Sequence, residues 1–319
     1  MKPCLAFIAL SLLSASTFAA NFPERPVTII VPAGAGGGGD TTTRLLARGL
    51  EKQLGQPITI INQGQGGGVV GLTSIKNAKP DGYTVGLLFP YAGYHYTGQA
   101  TFSVDDFTPI ASFNGDSSAL ITAKDSPFDS LEEAIDALRE SPSEYTIHCA
   151  GGCGSVWDVP MASFLLDEGV DVAEIRWIPG QGAASGLSEL ISGGVDFLTA
   201  SLPEAGAMID ADMARALTVL SPTPVENFED VPLAGEIADE VVDGGTWRAL
   251  GGPVGMPQEA VDTWEAAVLA VVDSDAFRQA MSQAGFGIRA LNAGQLTRLM
   301  QEHEDDTARV MKALGYEAP

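Results

Sequence analysis

Short apolar runs alternate along the chain with longer stretches in which apolar residues recur three and four positions apart, the pattern of strands alternating with helices. The first unit sets the plan. Val27-Thr28-Ile29-Ile30-Val31 reads as a strand, Pro32-Ala33-Gly34-Ala35-Gly36-Gly37-Gly38-Gly39-Asp40-Thr41 as a glycine-rich loop, and Leu45, Leu46, Leu50 and Leu54 mark a helix. Residues 57–62 predict a second strand, and Gln63-Gly64-Gln65-Gly66-Gly67-Gly68 opens a helix through Val70, Leu72 and Ile75. After the turn Lys79-Pro80-Asp81-Gly82, residues 83–89 read as a buried third strand. The order β-α-β-α-β implies a mostly parallel sheet with right-handed crossovers and ligand sites beyond the carboxyl ends of its strands.

A second α/β unit starts at residues 119–123. Ser130 and Glu133 form a capping box for a helix to Glu140. Strands are predicted at 145–149, 174–178, 195–200 and 216–220, and helices near 156–167, 183–192 and 204–211. Ala150-Gly151-Gly152-Cys153-Gly154-Ser155 repeats the first loop's logic of strand, glycine turn and helix start. An acidic connection over 227–242 leads to residues 246–253, a strand that returns to the first unit. Helices at 258–272, 275–284 and 293–314 close the chain, the last two separated by a short strand at 287–291; all three are expected on the first sheet.

Glycines leave no Cβ in the way of a ligand, and the first turn of a helix offers unpaired amides at the positive end of its dipole. The two loops therefore read as two halves of one anion site. Asp40 and Asp158 are expected to cap their helices, acting on a ligand only indirectly. The aromatic stretch Tyr91-Ala92-Gly93-Tyr94-His95-Tyr96 follows the third strand, where ligand contact and surface packing are equally compatible with its composition.

Composition narrows the partners. The formal charge is −24 on 319 residues, and no basic stripe offsets it, which excludes nucleic acid. Scarce lysine and scattered acids suit a saline exterior. Lys2, an apolar run from Leu5 to Leu13 and the small residues before Ala19 and Ala20 form a secretory signal at 1–20, cleaved near Ala19/Ala20. That leaves Cys149 and Cys153, for which a disulfide and two free thiols stand at even odds; a metal site is the weaker reading. Gly34-Ala35-Gly36-Gly37-Gly38-Gly39 also satisfies the dinucleotide motif, but the next strand ends in Asn62-Gln63 instead of an acid. A P-loop fails for want of Lys-Ser or Lys-Thr, and a thiol or serine hydrolase would need His95 as base, since His303 reads as part of a solvated acidic face.

Arg25-Pro26, Ile30-Val31-Pro32, Gly36-Gly37-Gly38 before Asp40, Leu45-Leu46-Ala47, Gly55-Gln56-Pro57, Pro80-Asp81-Gly82-Tyr83-Thr84 and Asp106-Phe107-Thr108-Pro109-Ile110 follow one another in order. Gly193-Gly194-Val195-Asp196, Leu202-Pro203, Arg215-Ala216-Leu217, Asp230-Val231-Pro232, Trp247 and Gly255-Met256-Pro257 continue the series. In this order and spacing the chain resembles the substrate-binding proteins of the tripartite tricarboxylate transporter family, the Bug-type periplasmic receptors.

The resemblance implies an α/β, two-domain periplasmic-binding-protein-like fold of type II, with mostly parallel sheets and a cleft between lobes. The lobes are expected at 21–121 with 247–319, and at 122–246. It implies a monomeric periplasmic receptor, not an enzyme, without cofactor or metal. Such a receptor takes a small carboxylate (a di- or tricarboxylate or an aromatic acid) and delivers it to the transporter's membrane subunits. The competing reading is a secreted oxidoreductase or hydrolase using the same loops. The carried-over site comprises Ala35, Gly36, Gly37, Gly38, Gly39, Asp40 and Thr41 in the first loop. In the second it comprises Ala150, Gly151, Gly152, Ser155, Trp157 and Asp158, with Tyr91, Tyr94, Gln181, Ala200 and Ser201 around them. Departures cluster there: Gly39 replaces a hydroxyl, Asn62-Gln63-Gly64-Gln65 replaces Asn-Arg-Pro-Gly, Gly180-Gln181-Gly182 replaces Tyr-Lys-Gly, and Asp158 replaces a histidine after a one-residue insertion. With those cations gone, recognition is expected to rest on backbone amides and water.

Overall fold

The computed structural model describes residues 22–150, 153–180, 182–238 and 241–317. Strand β1 (Val27–Val31) leads into helix α1 (Gly38–Leu54), then β2 (Ile58–Asn62), a 3₁₀ turn at Gln65–Gly68 and α2 (Val69–Lys76). β3 (Thr84–Leu88), α3 (Gly93–Tyr96) and the long β4 (Phe107–Ala123) follow. The second lobe adds α4 (Leu131–Glu140), β5 (Thr146–Cys149), α5 (Asp158–Asp167), β6 (Arg176–Pro179), α6 (Ala183–Ile191), β7 (Phe197–Ser201), α7 (Leu202–Asp210), β8 (Ala214–Val219) and α8 (Gly235–Ala238). β9 (Gly245–Pro253) returns to the first lobe, where α9 (Gln258–Val272), α10 (Asp275–Gln283) and α11 (Ala293–Ala313) end the chain.

The strands form one mixed nine-stranded sheet in the order β2-β1-β3-β9-β4-β7-β5-β6, with β8 on β4. Within each lobe the pairings of β1 with β2 and β3, and of β5 with β6 and β7, are parallel. The pairings made by β4 and β9 are antiparallel. β4 runs 17 residues, pairing with β9 over its first part and with β7 and β8 over its last. Sequence patterning finds only its 119–123 end, because Asn114-Gly115-Asp116-Ser117-Ser118 is polar. There the strand passes from one apolar core to the next, and no core demands apolar side chains.

Each lobe buries apolar side chains on both sheet faces. In the first, β1, β3, α1, α9 and α10 close around the fully buried Trp264, while α2 and α11 cover the opposite face over Tyr91, Phe107 and Trp247. In the second, α4 and α5 cover one face and α6 and α7 the other. α11 does not stay on the first sheet as expected. Its Val310 and Met311 join the second lobe's core, and Arg309 grips both carboxylate oxygens of Asp167 at 2.7 and 3.1 Å.

The strand expected at 287–291 does not form; only Leu291 makes a bridge, to Ser112. Side chains of β4 take the carbonyls that a ladder would use. Asn114 Nδ2 donates to the Gly287 carbonyl at 2.7 Å, and the Ser112 hydroxyl donates to that of Arg289.

Candidate ligand-binding site

In the first loop, helix α1 begins at Gly38 with Gly37 as a cap that has no side chain to offer, so Asp40 is not the helix cap. Its carboxylate turns back into the loop instead. Oδ2 accepts the amide of Gly36 at 2.8 Å, and Oδ1 accepts Asn62 Nδ2 at 2.9 Å and Arg44 Nε at 2.8 Å. Gly36 has φ +82°, a left-handed conformation that glycine adopts without penalty, and this aims its amide at Asp40. Burial pushes the Asp40 carboxyl up, but the hydrogen bonds from Arg44, Gly36 and Asn62 and the charge of Arg44 win, holding it below its ordinary value. The amides of Gly38, Gly39 and Asp40 start the helix and have no intrahelical acceptor. Ala35, Gly36 and Gly37 are exposed, Gly38, Gly39 and Thr41 partly so, and Thr41 donates its amide to the Gly37 carbonyl at 2.9 Å.

The second loop repeats this device. Gly154 has φ +81°, and its amide donates to Asp158 Oδ2 at 2.5 Å. The amide and hydroxyl of Ser155 donate to Oδ1 at 3.0 and 2.9 Å. Here too the aspartate is not the helix cap; that position is Trp157. No cation stands beside Asp158 among the described residues. Desolvation outweighs the hydrogen bonds from Gly154 and Ser155 and pushes its pKa up to about 6. Cys149 and Cys153 form a disulfide across Ala150, with Cα atoms 5.2 Å apart. Their sulfurs lie within 4.8 Å of an Asp158 oxygen, but bonded to each other they are not thiolate ligands. His148 is buried on another side, against Gly180 and Gly186.

The lobes meet at the second loop. A Cβ on Gly93 would stand 2.0 Å from the Gly154 carbonyl oxygen, so α3 of the first lobe rests directly on it. Tyr94, next in the chain, donates its hydroxyl to the Gly67 carbonyl at 2.5 Å.

Several expected residues sit elsewhere. Tyr91 packs into the core against Phe102 and Phe107, and Trp157 is buried with its carbonyl accepting the Ser118 hydroxyl at 2.8 Å. Neither forms an open aromatic wall. Ala150 is buried, Ala200 is buried in the ladder opposite Ala119, and the amide and hydroxyl of Ser201 are both spent on Glu204 at 3.2 and 3.0 Å. Gly151, Gly152 and Gln181 lie outside the described residues. His303, expected on a solvated face, turns its ring toward Trp247 at 6.3 Å, and burial lowers its pKa to about 4. Leu202 and Pro203 line a cavity of about 410 Å³ beside Asp116, Phe286 and Arg289 that reaches neither glycine loop.

Patterning missed Arg248. It lies on β9 amid buried neighbours, and its Nη2 would be 3.0 Å from a Cβ on Gly38. A lone arginine in an otherwise apolar strand was the available signal.

Comparison with known proteins agrees with this architecture. The model of a family described as "Tripartite tricarboxylate transporter family receptor" matches residues 42–316. A UPF0065 protein of Bordetella pertussis is 29% identical over 317 residues, spanning 98% of this chain and 97% of its own. A TctC solute-binding protein from Polaromonas, solved with no ligand, superposes with a TM-score of 0.78 at 29% identity, covering 92% of this chain and 99% of its own. MatC of Rhodopseudomonas palustris, solved with bound malate, has a TM-score of 0.71 at 27% identity and covers 91% of this chain and 100% of its own. No helix among the described residues is long and apolar enough to cross a membrane.

Proposed function

The chain belongs to the tripartite tricarboxylate transporter receptor family, whose members are solute-binding receptors and not enzymes, and on that premise we propose that it captures a small carboxylate between its lobes. The ligand is a di- or tricarboxylate or an aromatic acid, handed to the membrane subunits of such a transporter by a monomeric, periplasmic protein freed of residues 1–20 near Ala19/Ala20. The observation that carries this reading is the pair of matched loops. Gly36 with Asp40, and Gly154 and Ser155 with Asp158, each fix a strand-to-helix turn, and beyond them the amides of Gly38 and Gly39 and of Val156 and Trp157 meet no backbone acceptor among the described residues.

In this reading Asp40 and Asp158 shape the loops and leave the anion to the amides, since a carboxylate against a carboxylate would repel. The lobes, 21–121 with 247–319 and 122–246, turn about β4 and β9. A carboxylate bridging the starts of α1 and α5 contacts both only when they are close, so binding shifts the population toward the closed form. Gly37 and Gly38, with Ala35 and Thr41 beside them, form the first contact. Ser155 and the start of α5 supply the second, with Tyr94 at the margin. MatC with its malate supports acids of this size as first probes.

Titration calorimetry of residues 21–319 against malate, other C4 to C6 dicarboxylates, citrate and benzoate tests this. The protein should bind at least one acid saturably. Gly37→Val should lower that affinity about tenfold or more, because its side chain enters the ligand's approach. The fold should hold, since a Cβ there meets nothing closer than the Gly34 carbonyl oxygen at 3.4 Å. Unchanged affinity in this variant would remove the loop from the site.

A further inference from the structure

We infer that Arg248 is the side chain that makes the site select carboxylates, by holding its second guanidinium nitrogen at the start of α1 for a ligand oxygen. This rests on the glycine loops being the ligand site and adds to it a side-chain cation from the strands that join the lobes.

Arg248 sits on β9, one of the two strands that join the lobes. Its Nη1 donates to Asn114 Oδ1 and, at 2.9 Å, to Asp116 Oδ2. Those acceptors are held in turn. Asp116 Oδ1 takes the Gly287 amide at 2.7 Å, and Asn114 Nδ2 donates to the Gly287 carbonyl at 2.7 Å and to Asp116 Oδ2 at 3.2 Å. The fork is therefore anchored at one nitrogen, and Nη2 meets no acceptor among the described residues. A guanidinium fixed in this way loses little rotamer freedom on binding, and its Nη2 is left to donate to a carboxylate oxygen.

Nη2 lies where it would be 3.0 Å from a Cβ on Gly38, the first residue of a 17-residue helix. A cation at the positive end of a helix dipole is unfavourable unless an anion lies between them. Phe286 completes the enclosure, with a ring carbon 3.3 Å from the same Cβ position and the ring centroid 5.6 Å from the guanidinium carbon. The Arg248 side chain keeps 13% of its exposure, enough to be reached and little enough to be poorly screened. Arg44 on α1 has its Nε and Nη2 engaged by Asp40 and Asn62, and its side chain is 47% exposed. The geometry also accounts for glycine at position 38, since a Cβ there would crowd the guanidinium and the Phe286 ring.

The test is calorimetry of residues 21–319 with malate, succinate and the succinate monoamide, at low and high salt, on the unmodified chain and on Arg248→Gln, Arg248→Lys and Asp116→Asn. Arg248→Gln should weaken the tightest-binding acid about thirtyfold or more and flatten its salt dependence. Arg248→Lys keeps the charge but not the fork and should lose less; it carries the comparison if the glutamine variant does not fold. Asp116→Asn loosens the anchor but keeps the arginine, so it should lose clearly less affinity for the acid than Arg248→Gln. A hinge ion pair with no ligand role predicts instead that Arg248→Gln and Asp116→Asn lose melting temperature alike while affinity stays or falls in parallel, which overturns the inference. If Gly37→Val abolishes binding and Arg248→Gln does not, Arg248 alone is withdrawn. If no acid binds the unmodified chain, the ligand-site reading fails and this inference falls with it.

Discussion

Asp40 and Asp158 each stand four residues after a left-handed glycine and accept its amide, yet Asp40 has Arg44 and Asn62 at its other oxygen, whereas Asp158 has only Ser155. One backbone device is thus set in two electrostatic surroundings. The first loop is held by a network of charge and amide, open on its outer side: a Cβ on Gly34 or Gly36 would meet nothing within 4 Å. The second is held by a disulfide and by the other lobe, with Gly93, Thr97 and Met311 packed against Gly154. The same turn can therefore be made rigid by local hydrogen bonds or by long-range packing, and the two should fail under different stresses.

The largest difference should come from filling the inter-lobe contact. Gly93→Val drives a side chain into the Gly154 carbonyl and should cost about 3 kcal/mol in denaturant unfolding, whereas Gly34→Ala should leave the midpoint within about 0.5 kcal/mol of the original. Equal effects would mean that the lobes do not rest on each other at this loop. Reducing the Cys149–Cys153 bridge comes next. The loop it closes has a sequence separation of 4, for which chain entropy predicts about 2 kcal/mol. A reduced or Cys149→Ser/Cys153→Ser protein should lose about that much stability in denaturant unfolding, with the first loop's hydrogen-exchange protection unchanged.

Opposite in sign to each other are the pH effects. The folded pKa of Asp158 is raised from 3.8 to about 6, so the native state holds its proton longer than the unfolded chain. Its contribution to stability is full below pH 4 and is lost as pH rises to about 6. Asp40 is lowered, so its contribution is present above its ordinary value of 3.8 and is lost as pH falls through the lowered one. Asp158→Asn should therefore remove a fall in stability between pH 4 and 6. Asp40→Asn should cost about 1 kcal/mol at pH 7 and nothing once the carboxylate would be protonated. Parallel pH profiles for the two variants would show that Arg44 does not set the difference.

Much of this was legible along the chain. The apolar runs of β1, β3, β5 and β7 and the periodicity of α1 and α9 follow from faces that must be buried, so the pattern alone places them. The two glycine loops were legible because a tight turn into a helix has few sequences. The aspartates were found, but their work was not, because a cap and a loop clamp use the same residue at nearly the same position. The recurrence of glycine four residues before aspartate, Gly36 to Asp40 and Gly154 to Asp158, was the clue. Tyr91 and Trp157 illustrate a limit of position: a residue just after a strand can turn into the core as readily as into the cleft, and only packing decides. Arg248 illustrates another, since its partner Gly38 is brought to it by the fold and not by any local pattern.

Whether the two helix starts hold the ligand is decided by a crystal structure of residues 21–319 with the acid that binds tightest in calorimetry. The ligand should lie between the lobes, with a carboxylate oxygen within hydrogen-bonding distance of the amides that start α1 and another polar group on those that start α5. A ligand seated outside both helix starts, or touching neither loop, would contradict this.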